Sequence, residues 1–201
     1  GPVAGELAGR LVRVLAAGAQ PMIAHAVGGV LPAGAAGCDE FGAIAPDAFA
    51  APLLDGSGQP TDLGREAAPV LRFARDFGGV LADLDPDDQP IVVDPDDASD
   101  GVIAVPRSGG AGTAIFFFRR SDAASTHVID QTGRRIPVRF GDQDFTWTLL
   151  DADLQGRGRL DYLTAMPLAL IAGQMLVVSA PSGEAVELSI DERPFTTSAP
   201  R

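Results

Sequence analysis

The spacing of hydrophobic residues changes near residue 100, from a helical period before it to short alternating runs after it. Apolar side chains recur at every third or fourth position in residues 3–18, which predicts an amphipathic helix. The next apolar segment, residues 21–27, is continuous and ends at Gly28-Gly29, as in a parallel strand buried on both faces. The predicted buried face of the helix comprises Val3, Leu7, Leu11, Val14 and Leu15. Because no other strand pattern occurs in the first eighty residues, we expect the neighbours of this strand to come from another polypeptide or from sequence upstream.

A second helix is predicted after a long loop. Residues 28–61 are rich in Gly, Ala, Pro and Asp, and a loop of this length is either a binding loop or a poorly ordered one. Thr61 or Asp62 can cap the helix that follows, and Pro69 is expected to kink or restart it. Its predicted apolar face contains Leu63, Val70, Leu71, Ala74 and Phe77.

Short β-type runs with turn signals between them fill the second half of the chain. This pattern predicts an antiparallel β-sandwich. The residues 131–134 read as a hairpin turn in which Gly133 is free to take a positive φ. Alternation should place Phe116 and Phe118 on one face of their strand and Phe117, facing inward, on the other. The predicted strands span 102–105, 113–119, 126–130, 135–140, 145–150, 174–179 and 184–190.

Between the two halves lies an acidic stretch, residues 83–100, interrupted by a strand-like run at 90–93. Clustered carboxylates on a loop are the ligands that calcium needs. The spacing of residues 94–101 does not match the twelve-residue calcium loop, and the glutamate expected at its end is absent. We therefore interpret the stretch as a solvated linker, with a calcium site as the alternative.

Composition narrows the class of protein. Hydrophobic residues make up 46% of the chain and charged residues 21%, as in ordinary globular proteins. A net charge of −12 with scattered basic residues argues against nucleic acid as a partner. No apolar stretch is long enough to cross a membrane, so we expect a soluble protein, either cytoplasmic or secreted. The single cysteine, Cys38, excludes an internal disulfide and a zinc site built from cysteines.

Few residues are candidates for catalysis. His25 lies in the apolar run 21–27, and His127 begins a predicted sandwich strand, where we expect a structural role. Cys38 has no histidine nearby in sequence, and no serine elbow, phosphate loop or dinucleotide fingerprint occurs. Glu184 and Glu187 are three residues apart on a strand, so their side chains project to opposite faces and cannot flank one glycosidic bond.

A series of short motifs occurs in a fixed order. Ala51-Pro52-Leu53 and Gly58-Gln59-Pro60-Thr61 precede the second helix, and residues 112–119 form a long apolar strand pattern. Leu160-Asp161-Tyr162-Leu163-Thr164-Ala165 and Gly183-Glu184-Ala185-Val186-Glu187-Leu188 follow. In this order the motifs resemble the retaining β-galactosidases of glycoside hydrolase family 35. There, an Ala-Pro-Leu motif and a Gly-x-Pro-Thr turn lead into the last barrel helix, and Tyr-Ser-Thr-Ala and Gly-Glu-x-x-Glu-Leu segments belong to the following sandwich.

The resemblance implies an α+β chain in which the terminal βα portion of a TIM barrel precedes an antiparallel β-sandwich. The implied divisions are 3–80 for the helix-strand-helix end of the (β/α)8 barrel, 81–100 for the acidic linker and 101–190 for the sandwich. In the family the acid/base and nucleophile glutamates lie on the fourth and seventh barrel strands, upstream of this chain. We therefore expect no catalytic residue, cofactor or metal here, and no hydrolysis by the chain alone.

Two residues are candidates for lining the substrate site of the complete enzyme. Strand alternation can aim His25 at the barrel interior. The aromatic strand end usual in the family is replaced by Ala24-His25-Ala26-Val27, and its Tyr-Asp-Tyr-Asp stretch by Asp47-Ala48-Phe49-Ala50, so Phe49 alone keeps a ring. The resemblance implies a β-galactoside-like carbohydrate as the ligand. It also implies the missing barrel portion, or a second copy of the chain joined through residues 3–30, as the partner.

Two other functions remain open from the sequence. The chain can instead be a stand-alone β-sandwich that binds carbohydrate or protein, with its N-terminal helices packed on it. The aspartates alone support a third reading, a calcium-stabilised adhesion-like module.

Overall fold

The computed structural model describes residues 6–18, 53–55, 57–86, 92–93, 101–120, 125–129 and 132–200. The helices are α1 (Glu6–Ala16), α2 (Asp62–Asp76) and the single turn α3 (Gly78–Leu81). Both longer helices fall where the apolar spacing predicts them. The apolar run 21–27, which carries the predicted buried strand, lies outside the described residues.

Antiparallel β-structure dominates the rest of the described chain. All seven predicted strands are confirmed, as β3 to β7, β11 and β12. The strands are β1 (Asp85–Pro86), β2 (Val92–Val93), β3 (Val102–Gly109), β4 (Gly112–Arg119), β5 (Ser125–Ile129), β6 (Arg135–Arg139), β7 (Phe145–Leu150), β8 (Ala152–Asp153), β9 (Arg159–Leu163), β10 (Met166–Ile171), β11 (Met175–Ser179), β12 (Ala185–Ile190) and β13 (Arg193–Ser198).

The strands form four small sheets among the described residues. Their orders are β1-β3-β4-β7, β2-β5-β6, β13-β12-β9-β8 and β10-β11, and every pairing is antiparallel. Gly133, in the turn between β5 and β6, has a φ of 80°, as the hairpin prediction requires. β1 and β2 lie within the predicted linker 81–100, and they extend two of these sheets.

Strand β4 is buried on both faces and separates two hydrophobic cores. Phe116 and Phe118 contribute to the larger core, which includes both long helices, whereas Phe117 belongs to the smaller one. The predicted alternation is therefore confirmed. Phe116 and Phe117 are both completely buried, so neither face of the strand is the outer one. The smaller core comprises Ile115, Phe117, Val128, Ile136, Val138, Phe140 and Leu150.

Helix α1 packs on α2 and on strands β3 and β4, but its buried face differs from the predicted one. The buried residues are Ala8, Val12 and Ala16, and the predicted Val14 is 38% exposed. Leu11 and Leu15 flank this line and are partly buried. Small side chains lie at the centre of the face because they allow the helix backbone to approach its neighbours closely.

Helix α2 begins at the predicted cap and carries the aromatic part of the larger core. The Thr61 hydroxyl accepts a hydrogen bond from the Gly64 N–H, 3.1 Å away. Its buried face contains Gly64, Ala67, Val70 and Phe73. Of the predicted positions, Val70 and the C-cap residue Phe77 are fully buried, whereas Leu63, Leu71 and Ala74 are partly buried. The helix continues through Pro69, so the predicted restart does not occur.

A tight turn leads into α2. The Asp55 carboxylate accepts hydrogen bonds from the Ser57 hydroxyl and from the N–H groups of Ser57 and Gln59. These bonds, that of the Ser57 hydroxyl first, lower the pKa of Asp55. The Leu53 carbonyl then accepts from the Thr61 N–H at 3.0 Å, and it lies where a Cβ at Gly64 would collide with it.

Three strands of five or more residues, β9, β10 and β13, were not predicted from the sequence. β10 pairs with β11, and β13 continues the pairing of β12 past residue 190, where the predicted sandwich ends. β10 and β13 each contain a proline, Pro167 or Pro194, which argues against a strand interior. β13 is the last strand in its sheet, and all six of its residues are exposed.

Candidate functional site

The two residues predicted to line a substrate site, His25 and Phe49, lie outside the described residues, and so does Cys38. His127 lies half-buried in β5 opposite Pro137, within a regular strand pair, as expected of a structural residue. The carboxylates of the acidic stretch are also mostly outside the described part. The candidate site described below lies instead among the β-sheets.

An open cleft of about 500 Å³ lies between the β6–β7 connection and the segment that follows β11. Both polar and apolar side chains line it. The apolar part includes Phe140, Phe145, Met166 and Pro181. Both phenylalanines are more than nine-tenths buried, so they contribute only a small area to the cleft. The volume lies within the range of about 300–1,000 Å³ that small-molecule sites occupy.

One wall of the cleft is the turn between β6 and β7. The Gln143 N–H donates to the Phe140 carbonyl at 3.2 Å, which closes the turn around Gly141 and Asp142. At its far end, Asp144 accepts from the Arg119 guanidinium, with an Nη2–Oδ1 distance of 2.9 Å. This pair fixes the turn to the end of β4. The side chains of Asp142 and Gln143 are left exposed at the rim.

The other wall comes from the end of β11 and the turn that follows it. Ser179, Ala180 and Pro181 line it, and the Glu184 N–H donates to the Pro181 carbonyl at 3.1 Å. The Glu184 carboxylate lies 3.4 Å from Nε of Arg139, which also lines the cleft. This ion pair joins the two walls and neutralises the arginine.

The described residues that line the cleft offer polar and apolar groups for binding and do not include a pair of carboxylates. Among the described residues that line it, Asp142 is the only carboxylate and Arg139 the only cation, and no histidine or cysteine is present. A retaining glycosidase needs two carboxyl groups about 5–5.5 Å apart. Glu187, which the sequence pairs with Glu184, is exposed on β12 and does not line the cleft.

Asp76 is a charged residue outside the cleft whose bonds stabilise the fold. The Asp76 side chain is only 9% exposed, at the end of α2, and it accepts from Arg75 Nε at 2.6 Å and from the Leu170 N–H at 3.0 Å. The Arg75 guanidinium is the main reason that the pKa of Asp76 is lowered, while burial opposes the shift. Gln155 Nε2 donates to the Asp76 carbonyl at 2.7 Å. The Leu170 bond attaches α2 to β10, and the Gln155 bond attaches it to the connection between β8 and β9.

Arg107 is the other buried charge. It is 9% exposed, and its Nη2 donates to the Leu84 carbonyl at 2.8 Å. Its guanidinium lies where a Cβ of Gly18 would be, just past the end of α1. A cation at this position is favourable because the helix ends in carbonyl groups with partial negative charge. We assign Arg107 to the structure rather than to a site.

No local sequence pattern indicates the cleft, because its lining residues come from several segments between 139 and 182. Within the described residues, no three His, Cys, Asp or Glu side chains come together to hold a metal ion. None of the helices in the described part is long and apolar enough to cross a membrane.

Comparison of the sequence with protein-family models and with curated proteins finds no match.

Proposed function

We propose that this chain is the C-terminal part, or a subunit, of a retaining glycoside hydrolase similar to the β-galactosidases. It supplies the last unit of the catalytic barrel and the adjoining β-sandwich, and the catalytic glutamates lie on a different part of the enzyme. A β-galactoside-like carbohydrate is then the substrate of the complete enzyme, which needs no cofactor from this chain.

The observation that carries the proposal is the place of the motifs in the fold, and the packing of α2 on the β-sheets is compatible with it. Phe73 of α2 lies with its ring centroid 5.1 Å from that of Trp147 on β7, and both side chains are buried. Asp76 binds the backbone of β10 at the end of the same helix. A last barrel helix that passes directly into a sandwich would be held in this way.

The positions of the motifs support the same proposal. The Gly58–Thr61 turn ends at the cap of α2, as the Gly-x-Pro-Thr turn does in the family that the sequence resembles. The residues 112–119 form β4, and the other two sandwich motifs overlap β9 and β12, which pair with each other. The motifs within the described residues thus occupy a turn, a helix start and three strands, and Ala51-Pro52 lie outside those residues.

Hydrolysis of an aryl β-galactoside tests the proposal in two steps. The 201-residue chain should show none, whereas the same chain extended by the coding sequence that precedes it should hydrolyse the substrate with retention of anomeric configuration. Turnover by the short chain that is lost when one of its own carboxylates is mutated would overturn the proposal. An extended chain without a barrel or without activity would also overturn it.

A stand-alone sandwich is the alternative from another class of protein. It shares the helix packing, because helices of any origin can cover an apolar sheet face. The two proposals differ in the assay of the extended chain, because a chain that contains only a stand-alone sandwich should not hydrolyse the aryl β-galactoside. A short chain that is the complete native product would favour it.

A further inference from the structure

We propose that the cleft between the β6–β7 turn and the segment after β11 is a binding site for a neutral carbohydrate. The inference concerns the sheets alone and does not depend on a catalytic barrel upstream. It rests on the size of the cleft, on the mixture of groups that line it and on their balance of charge.

The apolar groups suit the C–H faces of a sugar ring. Phe140, Phe145, Met166 and Pro181 supply the apolar part of the lining. A sugar ring placed against these groups exchanges water for apolar contact on one side. Its hydroxyl groups then point toward the rim.

The rim offers side chains that bind hydroxyl groups. Gln143 provides an amide with donors and an acceptor, Asp142 provides an acceptor, and the Ser179 hydroxyl can do both. Gln143 and Asp142 are exposed on a turn whose backbone is closed by the Gln143–Phe140 hydrogen bond and held by the Arg119–Asp144 pair. Their backbone is therefore positioned before any ligand arrives, which reduces the entropic cost of binding.

The charges in the cleft disfavour the other classes of ligand. Arg139 is paired with Glu184, so the remaining charge at the rim, on Asp142, is negative. An anion such as a phosphate would find no free cation among the described lining residues. A divalent metal ion would find one carboxylate where it needs several oxygen ligands. A neutral polyhydroxylated ligand fits the groups present.

Titration of the 15N-labelled 201-residue chain with lactose, cellobiose and xylobiose, followed by amide chemical shifts, tests the site. At least one sugar should cause saturable shifts at residues 141–143 and 179–182, with a Kd on the order of 1 mM. Gln143→Ala should raise that Kd about threefold to tenfold, as expected for one lost hydrogen bond. Gln174→Ala is the matched control, because Gln174 is an exposed glutamine in the β10–β11 turn and does not line the cleft.

A second variant keeps the test independent of one hydrogen bond. Ser179→Trp places a large ring in the cleft from an exposed position at the end of β11, and it should abolish the shifts while the other amide signals stay in place. Saturable shifts caused by inorganic phosphate, or sugar shifts that neither variant reduces, would overturn the inference. So would the absence of saturable shifts with all three sugars. These outcomes leave the hydrolysis assay of the extended chain unaffected, so the two proposals fail separately.

Discussion

Phe73→Ala tests how much the packing of the helices against the β-sheets contributes to stability. Phe73 is completely buried, and its ring centroid lies 5.3 Å from that of Phe77 and 5.1 Å from that of Trp147. Truncation of a core phenylalanine to alanine costs about 3–5 kcal/mol. Each lost aromatic pair contributes about 0.5–1.5 kcal/mol beyond the buried area, so we expect a value in the upper part of that range.

That loss is large compared with the stability of a protein of this size. Total free energies of unfolding are about 5–15 kcal/mol, so the variant should lose roughly a third or more of its stability. A loss of about 4 kcal/mol corresponds to a fall in Tm of about 8–16 °C for a chain of this length. The variant should still fold, but it should unfold at clearly lower urea concentration.

Urea unfolding followed by two signals gives the measurement. Trp147 is the only tryptophan in the chain and reports on the β-sheets through its fluorescence, whereas circular dichroism at helical wavelengths reports on α1 and α2. Because helices and sheets share one core, both signals should change in a single transition in the wild type and in Phe73→Ala.

Two further variants complete the design. Phe195→Ala is the matched control, since Phe195 is 52% exposed on β13 and its loss should change stability by less than about 0.5 kcal/mol. Phe117→Ala removes a ring from the smaller core, which contains no helix residue, and should cost about 3–5 kcal/mol. If Phe73→Ala behaved like Phe195→Ala, or if the helical signal were lost before the fluorescence changed, the shared core would be refuted.

Other predictions concern buried polar groups and activity. Thr126→Val should raise the free energy of unfolding by about 1 kcal/mol, because the Thr126 hydroxyl is buried with no hydrogen-bond partner among the described residues. Thr148→Val should instead lower it by about 1 kcal/mol, since the Thr148 hydroxyl donates to a carbonyl 2.7 Å away, and equal urea midpoints for the two variants would refute both. Asp76→Asn should lower stability at neutral pH by up to about 1 kcal/mol, because the ion pair it removes has an exposed partner in Arg75. The folded pKa of Asp76 lies below 3.8, so its contribution is present above about pH 4 and lost as the pH falls through the folded pKa. Unfolding curves of wild type and Asp76→Asn should therefore converge in acid, and a constant difference down to low pH would contradict this account. The 201-residue chain should release no nitrophenol from an aryl β-galactoside, as a colorimetric assay would detect, because the described residues that line its cleft include a single carboxylate.

The sequence predicted the elements better than it predicted their surroundings. Seven strands were identified because alternating apolar residues and turn signals act locally. β10 and β13 were missed because Pro167 and Pro194 oppose a strand locally, whereas pairing with β11 and β12 allows one. In both places, pairing with a neighbouring strand outweighed the local preference against β-structure.

The buried faces of the helices also depend on their neighbours. Leucines and valines occur around much of α1, so the periodicity alone does not fix which line of residues lies deepest. Packing selected the line through Ala8, Val12 and Ala16, and it left Val14 at the surface. On α2 it selected Phe73, which contacts Trp147 from a segment more than seventy residues away.

The candidate site was not predictable from the sequence for a related reason. Arg139, Gln143 and Pro181 come to line one cleft only after β6, β7 and β11 have each paired in their sheets and packed together. The resemblance directed attention to His25 and Phe49 on the barrel side, which lie outside the described residues. None of the lining residues belongs to a local sequence motif that would indicate a binding site.

The mass of the native protein is the most direct test of the central claim, that this chain is part of a larger glycosidase. Native mass spectrometry of the protein purified from its source cells should find these residues in a longer polypeptide or in a stable complex with a polypeptide that carries the barrel. A second copy of the chain alone would not supply the catalytic glutamates. A free native chain with the 20.7 kDa mass of these 201 residues would contradict the claim and favour a stand-alone sandwich.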